Sequence, residues 1–452
     1  MTILLIRPEP FGLFSLTRQV QHEPLELEYL YTAFRKDGHN PVIYDRHCDY
    51  TPLKRRLRQV RPGLVCITGY ITQEPVMKRL AAAVKAFDPA IQVVLGGSHV
   101  ELNYKNFYDS AADYLCHISG LGPLRELAGR IASKNEDANH LPGLCYRKGR
   151  KWVYNEKVTC DPAELPVPDR SCFLARKNRY RYLTFRPLAL VKGAYSCPYR
   201  CSFCYCTNMN GGAYRARSAS ALVEESAAIP SPNVHIVDDD FLVDRAFLAE
   251  FIRLMREKRV EKKLLVYGRA DFIAGNPDWM AELASVGLSL VMVGLEAVED
   301  SELKSYDKGA ALQHNVDCVR VMEELGIYCA GLFIVHQGME RRDFDRLYNW
   351  IAARKKNLTA TVSILTPMQG SREYEKVKGQ LLDTSPGKQD LAHCILPPTK
   401  MSLQRFYYEY YRLSLRLAWA TRKHPVYKSL GPADIAYLLA APFKKLWRTV
   451  TI

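Results

Sequence analysis

Short apolar segments alternate with longer amphipathic ones along this chain, in two separate runs. In the first run, residues 3–6, 41–45, 64–68, 92–95 and 114–118 read as strands. Residues 26–36 and 76–87 read as helices, the latter with Leu80, Val84 and Phe87 on one face. In the second run the strands are 188–192, 235–238, 265–267, 290–293, 330–335 and 361–365, with helices at 247–258, 279–286 and 312–325. Apolar strands linked by helices predict parallel sheets covered on both faces, an α/β protein. Residues 1–135 fit a flavodoxin-like, doubly wound domain. Residues 187–380 fit a partial (β/α)6, TIM-like barrel, whose chemistry collects at the strand carboxyl ends. Residues 136–186, with Leu141-Pro142-Gly143-Leu144 and three prolines within 162–169, read as a linker and small extension. Residues 381–452 read as mainly helical, with aromatic and apolar stripes over 403–422 and 435–447. The stripes suit packing against the barrel, or a membrane surface, since basic residues stand beside Trp447 and Phe443.

At 452 residues the chain is long enough for about three domains. Its 48% hydrophobic and 25% charged residues exclude a disordered, collagenous or disulfide-scaffold protein. No apolar run approaches the ~18–20 residues of a membrane span. The opening MTILLIRPEP lacks a basic n-region, so a cytoplasmic protein without a signal peptide is expected. The net charge of +15 is uneven: residues 170–218 hold no Asp or Glu, and residues 401–452 set nine Lys/Arg against Glu409 and Asp434. Such a surface attracts nucleic acid, anionic lipid or a phosphorylated small molecule, or is simply solvated.

Thirteen cysteines, an odd number, argue against a disulfide framework. Ten are scattered and read as small buried hydrophobes. Cys197, Cys201 and Cys204 instead crowd into eight residues just past the first barrel strand, in Cys-x3-Cys-x2-Cys spacing. Thiolates favour zinc or iron–sulfur clusters. Structural zinc wants four ligands, usually in two pairs, and no second pair follows. Cys206, two residues on, could be a fourth ligand, but in an extended segment it would point elsewhere. Three thiolates on a [4Fe-4S] cluster leave one iron open to a chelating substrate. A zinc knuckle, or cysteines brought together by chance, are the alternatives.

The motif, with Phe203 before its third cysteine, resembles that of the radical S-adenosylmethionine superfamily. Further segments are similar: Val237-Asp238-Asp239-Asp240-Phe241, Tyr267-Gly268-Arg269-Ala270-Asp271, Val293-Gly294-Leu295-Glu296 followed by Lys308, and Tyr214-Arg215-Ala216-Arg217. The resemblance implies cluster ligation by Cys197, Cys201 and Cys204. It also implies S-adenosylmethionine contacts from Phe203, Asp239, Arg269 and Glu296, with Arg269 suited to a carboxylate and Glu296 to the ribose or ammonium. Ion pairs within the barrel are the alternative for each charged residue.

The N-terminal loops Thr68-Gly69-Tyr70, Gly96-Gly97-Ser98-His99 and Ser119-Gly120-Leu121-Gly122 sit where such domains bind ligands. Their order before the barrel resembles the cobalamin-binding branch of the superfamily. That implies cobalamin contacts from Thr68, Gly69, Gly96, Gly97 and Gly120. Asp45-x-His47-x-x-Tyr50 nearly matches a cobalt-ligand motif, but lacks its glycine and follows the second strand. The branch implies a methyltransferase acting on an unactivated sp3 carbon. The short chain and the basic aromatic C-terminal segments resemble the hopanoid C-3 methylase type, with a polycyclic lipid as substrate. A flavodoxin- or ferredoxin-type reductant and a peripheral membrane contact would accompany it. A cobalamin-dependent cyclase or hydratase is the enzymatic alternative. A tRNA methylthiotransferase would carry further cluster cysteines, yet Cys66 lies within a strand and the loop at 7–12 has none. Nucleic acid is therefore not the expected partner. A non-catalytic corrinoid-binding protein is the last alternative.

Overall fold

Strand β1 (Thr2–Arg7) buries all four of its apolar residues, Ile3, Leu4, Leu5 and Ile6, as a strand covered on both faces must. The computed structural model describes residues 1–9, 20–135 and 137–427. It pairs β1 in parallel with β2 (Asn40–Asp45) on one side and β3 (Leu64–Ile67) on the other. Next come β4 (Gln92–Leu95) and β5 (Tyr114–Cys116), giving the order β2-β1-β3-β4-β5 of a flavodoxin-like sheet. The order reverses between β1 and β3, so the ligand crevice of this architecture opens beside the loops that follow them.

Part of the segment expected to be a linker is sheet. β6 (Leu144–Lys148) and β7 (Lys151–Tyr154) form a hairpin that extends β5 in antiparallel fashion. Its two-residue turn begins at Gly149, with φ +64. Helices at Leu53–Val60 and Gly122–Ala132 complete the domain.

The second sheet runs in chain order: β8 (Leu188–Val191), β9 (Asn233–Ile236), β10 (Lys263–Arg269), β11 (Leu288–Glu296), β12 (Tyr328–Val335) and β13 (Leu358–Ile364), all parallel. Its outer residues, among them Val191, Val234, Val266 and Val293, meet the helices. Its inner residues Leu188, Leu265, Leu290, Met292 and Ala330 fill the lumen, where Val426 is fully buried among them. The C-terminal region is less helical than expected. Only short turns precede the helix Leu403–Thr421, because Pro386, Pro397 and Pro398 interrupt the chain. The expected helix at 435–447 lies outside the described residues. Among the described residues no helix is long and apolar enough to cross a membrane.

The two sheets are locked together by polar contacts between distant residues. Arg170 bonds Glu23 at 2.7 Å, Glu225 at 2.8 Å and the carbonyl of Leu190 at 2.8 Å. Asn103 and Asn106, past β4, bond the main chain and side chain of Gln369, past β13. Glu101 accepts from the amide of Asn210, past the cysteine loop, at 2.6 Å. The carboxyl edges of the two sheets therefore face one another.

Candidate active site

The cysteine loop leaves β8 through a tight turn. The amides of Gly193 and Ala194 both donate to Asp238 Oδ1, at 2.7 and 2.8 Å. A Cβ on Gly193 would lie 2.6 Å from Asp238 Oδ2, so only glycine fits. Ala194–Tyr195 then pairs with Arg215–Ala216, closing the loop at its base. Ser196, next to the first cysteine, has φ +64, a conformation a non-glycine residue rarely adopts. The loop is anchored by Ser202 N donating to Tyr306 O at 3.0 Å and by Phe203 packing edge-to-face on Tyr306 at 5.6 Å.

Cys197, Cys201 and Cys204 are all partly accessible, and Cys204 stands in electrostatic range of the other two. Among the described residues no three His, Cys, Asp or Glu side chains close around one ion-sized point. Burial pushes the Cys197 thiol up to about 12. Burial also raises Cys201, against the pull of Lys308 and Arg269. Cys206 does not point elsewhere, as the sequence suggested. It opens a 3-10 turn, its amide donates to Cys204 Sγ at 3.4 Å, and its thiol bonds that sulfur, which lowers the Cys204 pKa.

Around the loop stand the charged residues expected from sequence. Arg269 donates from Nη1 toward Cys201 Sγ at 3.9 Å and lies 4.0 Å over the Tyr199 ring. Its carboxylate-matching fork, however, is filled by Asp271 at 3.0 and 2.9 Å. Arg269 thus makes the internal ion pair that stood as the alternative to a ligand contact. Glu296 is buried and pairs with Lys308 at 2.8 Å. It sits at φ +60 where the β11–β12 register breaks, and backbone strain of this kind concentrates at functional positions. A Cβ on Gly294 would strike both Glu296 Oε1 and Lys308 Nζ, so the glycine makes room for the pair. Asp239 is exposed and lies beside Cys206, whereas Asp238 and Asp240 are buried. Burial raises Asp238 to about 6 and Asp240 to about 7, and Asp240 Oδ2 has no partner. Phe203 borders a cavity of about 200 Å³ with Ser202, Tyr306, His336, Gln337 and Leu365. His336 bonds Glu302 at 3.1 Å at its rim, and the buried Tyr306 hydroxyl has no partner. No motif in the sequence pointed to Tyr306, His336 or Glu302.

The facing edge is built differently. Gly97, at φ +94, presses its Cα against Thr68 and Gly69: a Cβ there would lie 2.6 Å from Thr68 Oγ1 and 2.7 Å from Gly69 N. Gly69 backs onto Met77, Gly96 onto Cys116 and Gly120 onto Cys160. At these glycines the space a side chain would take is filled by neighbouring protein atoms. What the loops present is backbone, together with Tyr70. That side chain is 60% exposed, yet burial raises its phenol to about 12. Glu26, Arg7, Asp239 and Cys206 stand in electrostatic range of it. His47 is turned away: its ring bonds the Pro8 carbonyl, and burial lowers its pKa to about 3.

The radical SAM superfamily model matches residues 191–351, and the B12 binding domain model matches residues 14–128. The chain carries a radical SAM domain and a B12-binding domain. It is 24% identical over 417 residues to the hopanoid C-3 methylase of Methylococcus capsulatus, covering 90% of this chain and 78% of that protein. It is 23% identical over 381 residues to the anaerobic magnesium-protoporphyrin IX monomethyl ester cyclase of Cereibacter sphaeroides, covering 79% of this chain and 61% of the cyclase. The fold matches that of the radical S-adenosylmethionine methyltransferase TsrM from Kitasatospora setae, with a TM-score of 0.68 at 19% identity over 89% of this chain and 83% of that one. The radical SAM and B12-binding families imply a [4Fe-4S] cluster, S-adenosylmethionine and cobalamin. The residues present suit them. Three soft thiols share one loop with cationic donors beside them, a buried carboxylate oxygen waits unpartnered at Asp240, and a cavity opens beside Phe203.

Proposed function

We propose that this protein is a cobalamin-dependent C-methyltransferase acting on an unactivated sp3 carbon, with a polycyclic lipid of the hopanoid kind as substrate. One observation carries the reading: the carboxyl edges of the two sheets face each other, with Tyr70 of the B12-binding domain in range of Asp239 and Cys206 of the barrel. When bound, the cluster with S-adenosylmethionine supplies a hydrogen-abstracting radical, and cobalamin supplies a methyl group.

The chain's own residues do the holding. Cys197, Cys201 and Cys204 would anchor the cluster, and Arg269 Nη1 donates toward the Cys201 sulfur, favouring its thiolate. Lys308 holds the Glu296 carboxylate in place at 2.8 Å, where it can accept from a ribose hydroxyl or ammonium. Phe203 and the cavity beside it suit a flat heterocycle. On the other edge, Thr68 and the amides of the glycine loops offer donors to a large amide-bearing ligand. The Asn103, Asn106 and Gln369 contacts and the Glu101–Asn210 bond close the rim, which keeps water from a reactive centre. A flavodoxin- or ferredoxin-type reductant, and a cytoplasmic position peripheral to the membrane, belong to the same reading.

Similarity to the ester cyclase favours a second reading, a cobalamin-dependent cyclase. Anaerobic turnover with candidate polycyclic lipids separates them. A methyltransferase gives a product heavier by one CH2, with both deoxyadenosine and S-adenosylhomocysteine released. A ring closure without methyl gain would replace this reading with the second, and no deoxyadenosine with any substrate would end both.

A further inference from the structure

The helix Leu403–Thr421 carries an outward stripe that packing does not explain. Residues 405, 408, 412, 415, 419 and 422 recur at helical spacing on one side; 405, 408, 419 and 422 are exposed, and 412 and 415 are half-buried between them. Two are aromatic and open: Tyr408 is 57% exposed and Trp419 65%. Each has a guanidinium over its ring, Arg405 at 5.0 Å from Tyr408 and Arg422 at 3.7 Å from Trp419. The helix's one carboxylate, Glu409, is buried and held by Arg405 and Arg412. The nearby Asp345 is likewise taken up, by Arg412 and Arg416. The opposite side of the helix is core: Phe406 and Leu417 are buried, and Phe406 meets Phe344 edge-to-face at 5.7 Å.

We infer that this stripe is a docking surface for an anionic membrane. Exposed aromatics flanked by arginines, on a helix without a free carboxylate, match the interface between lipid headgroups and acyl chains in both charge and polarity. At about 28 Å the helix lies along such a surface. The biological sense of the inference rests on the lipid-substrate reading; its evidence rests on the helix alone.

The test uses the full chain and vesicles of phosphatidylcholine with or without phosphatidylglycerol, read by co-sedimentation without turnover. Binding is expected only to the anionic vesicles and weakens with salt. Arg422→Gln with Lys423→Gln, the two exposed basic residues just past the helix, should weaken it roughly 25-fold, at about fivefold per basic residue. Tyr408→Ser with Trp419→Ser should weaken it at least about tenfold, while Trp419→Phe should restore most of the loss. An unchanged thermal midpoint in each variant shows that the fold is kept. No vesicle binding, equal binding to both vesicles, binding that both pairs leave intact, or preference for nucleic acid over vesicles would overturn the inference. An enzyme that methylates a lipid yet ignores vesicles would lose this inference alone, whereas vesicle binding without methylation would leave it standing.

Discussion

At the barrel's carboxyl edge, ionisable side chains crowd together: three thiols, the Glu296–Lys308 pair, Arg269 with Asp271, and Asp238 to Asp240. At the opposing edge of the B12-binding domain there are mostly backbone amides, small residues and one open phenol, Tyr70. The first edge suits soft metal and a charged cosubstrate, each needing specific charge and geometry. The second suits a broad ligand carrying many neutral amides, which needs flat space and donors more than charge. The difference teaches that each edge should fail in its own way: the barrel through loss of a side-chain atom, the N-terminal edge through gain of one.

The comparison is broken most severely at the thiols. Serine at Cys197, Cys201 or Cys204 should reduce bound iron to background and abolish deoxyadenosine release, with the far-ultraviolet circular dichroism unchanged. Iron retention in all three variants would remove the barrel edge from the account. Next comes Lys308→Met, which leaves Glu296 buried and alone at a cost of about 3–5 kcal/mol, read by denaturant titration. It should also weaken S-adenosylmethionine binding.

The opposite kind of damage is expected at Gly97→Ala. Its φ of +94 and the contact with Thr68 and Gly69 make the added methyl cost about 3 kcal/mol, with loss of cobalamin retention. Gly122→Ala is the control, since nothing lies within 4 Å of its Cβ position and its φ is ordinary. Equal effects of the two would erase the contrast. The smallest effect sharpens the comparison on the barrel side. Asp240 holds its proton more tightly when folded, up to about pH 7 against 3.8 unfolded. Its contribution to stability is therefore present at low pH and lost as pH rises toward 7. Asp240→Asn should flatten that decline in the cluster-free protein and gain about 2 kcal/mol or less at pH 8. Thermal midpoints across pH report it.

The strands of both sheets were legible because each is a short apolar run such as Leu64-Val65-Cys66-Ile67, buried on both faces. The hairpin at Leu144–Tyr154 was not, because prolines and glycines around it suggested a linker and masked a two-residue turn. The basic helix Leu53–Val60 was missed because only Leu57 of its residues is buried, leaving little apolar periodicity to read. The cysteines were legible from spacing alone. The occupant of the Arg269 fork was in plain view two residues on, at Asp271, but sequence does not say whether an arginine's partner is internal or a ligand. The Arg170 network joins residues more than a hundred positions apart, Glu23 and Glu28 among them, and no local pattern encodes it.

The central claim is that the two edges share one chamber. The most direct measurement is electron paramagnetic resonance of the anaerobically reconstituted protein, holding both a reduced cluster and cob(II)alamin. The account predicts spin–spin coupling between the two centres, abolished by serine at Cys201. Two independent, uncoupled signals from fully loaded protein would contradict it.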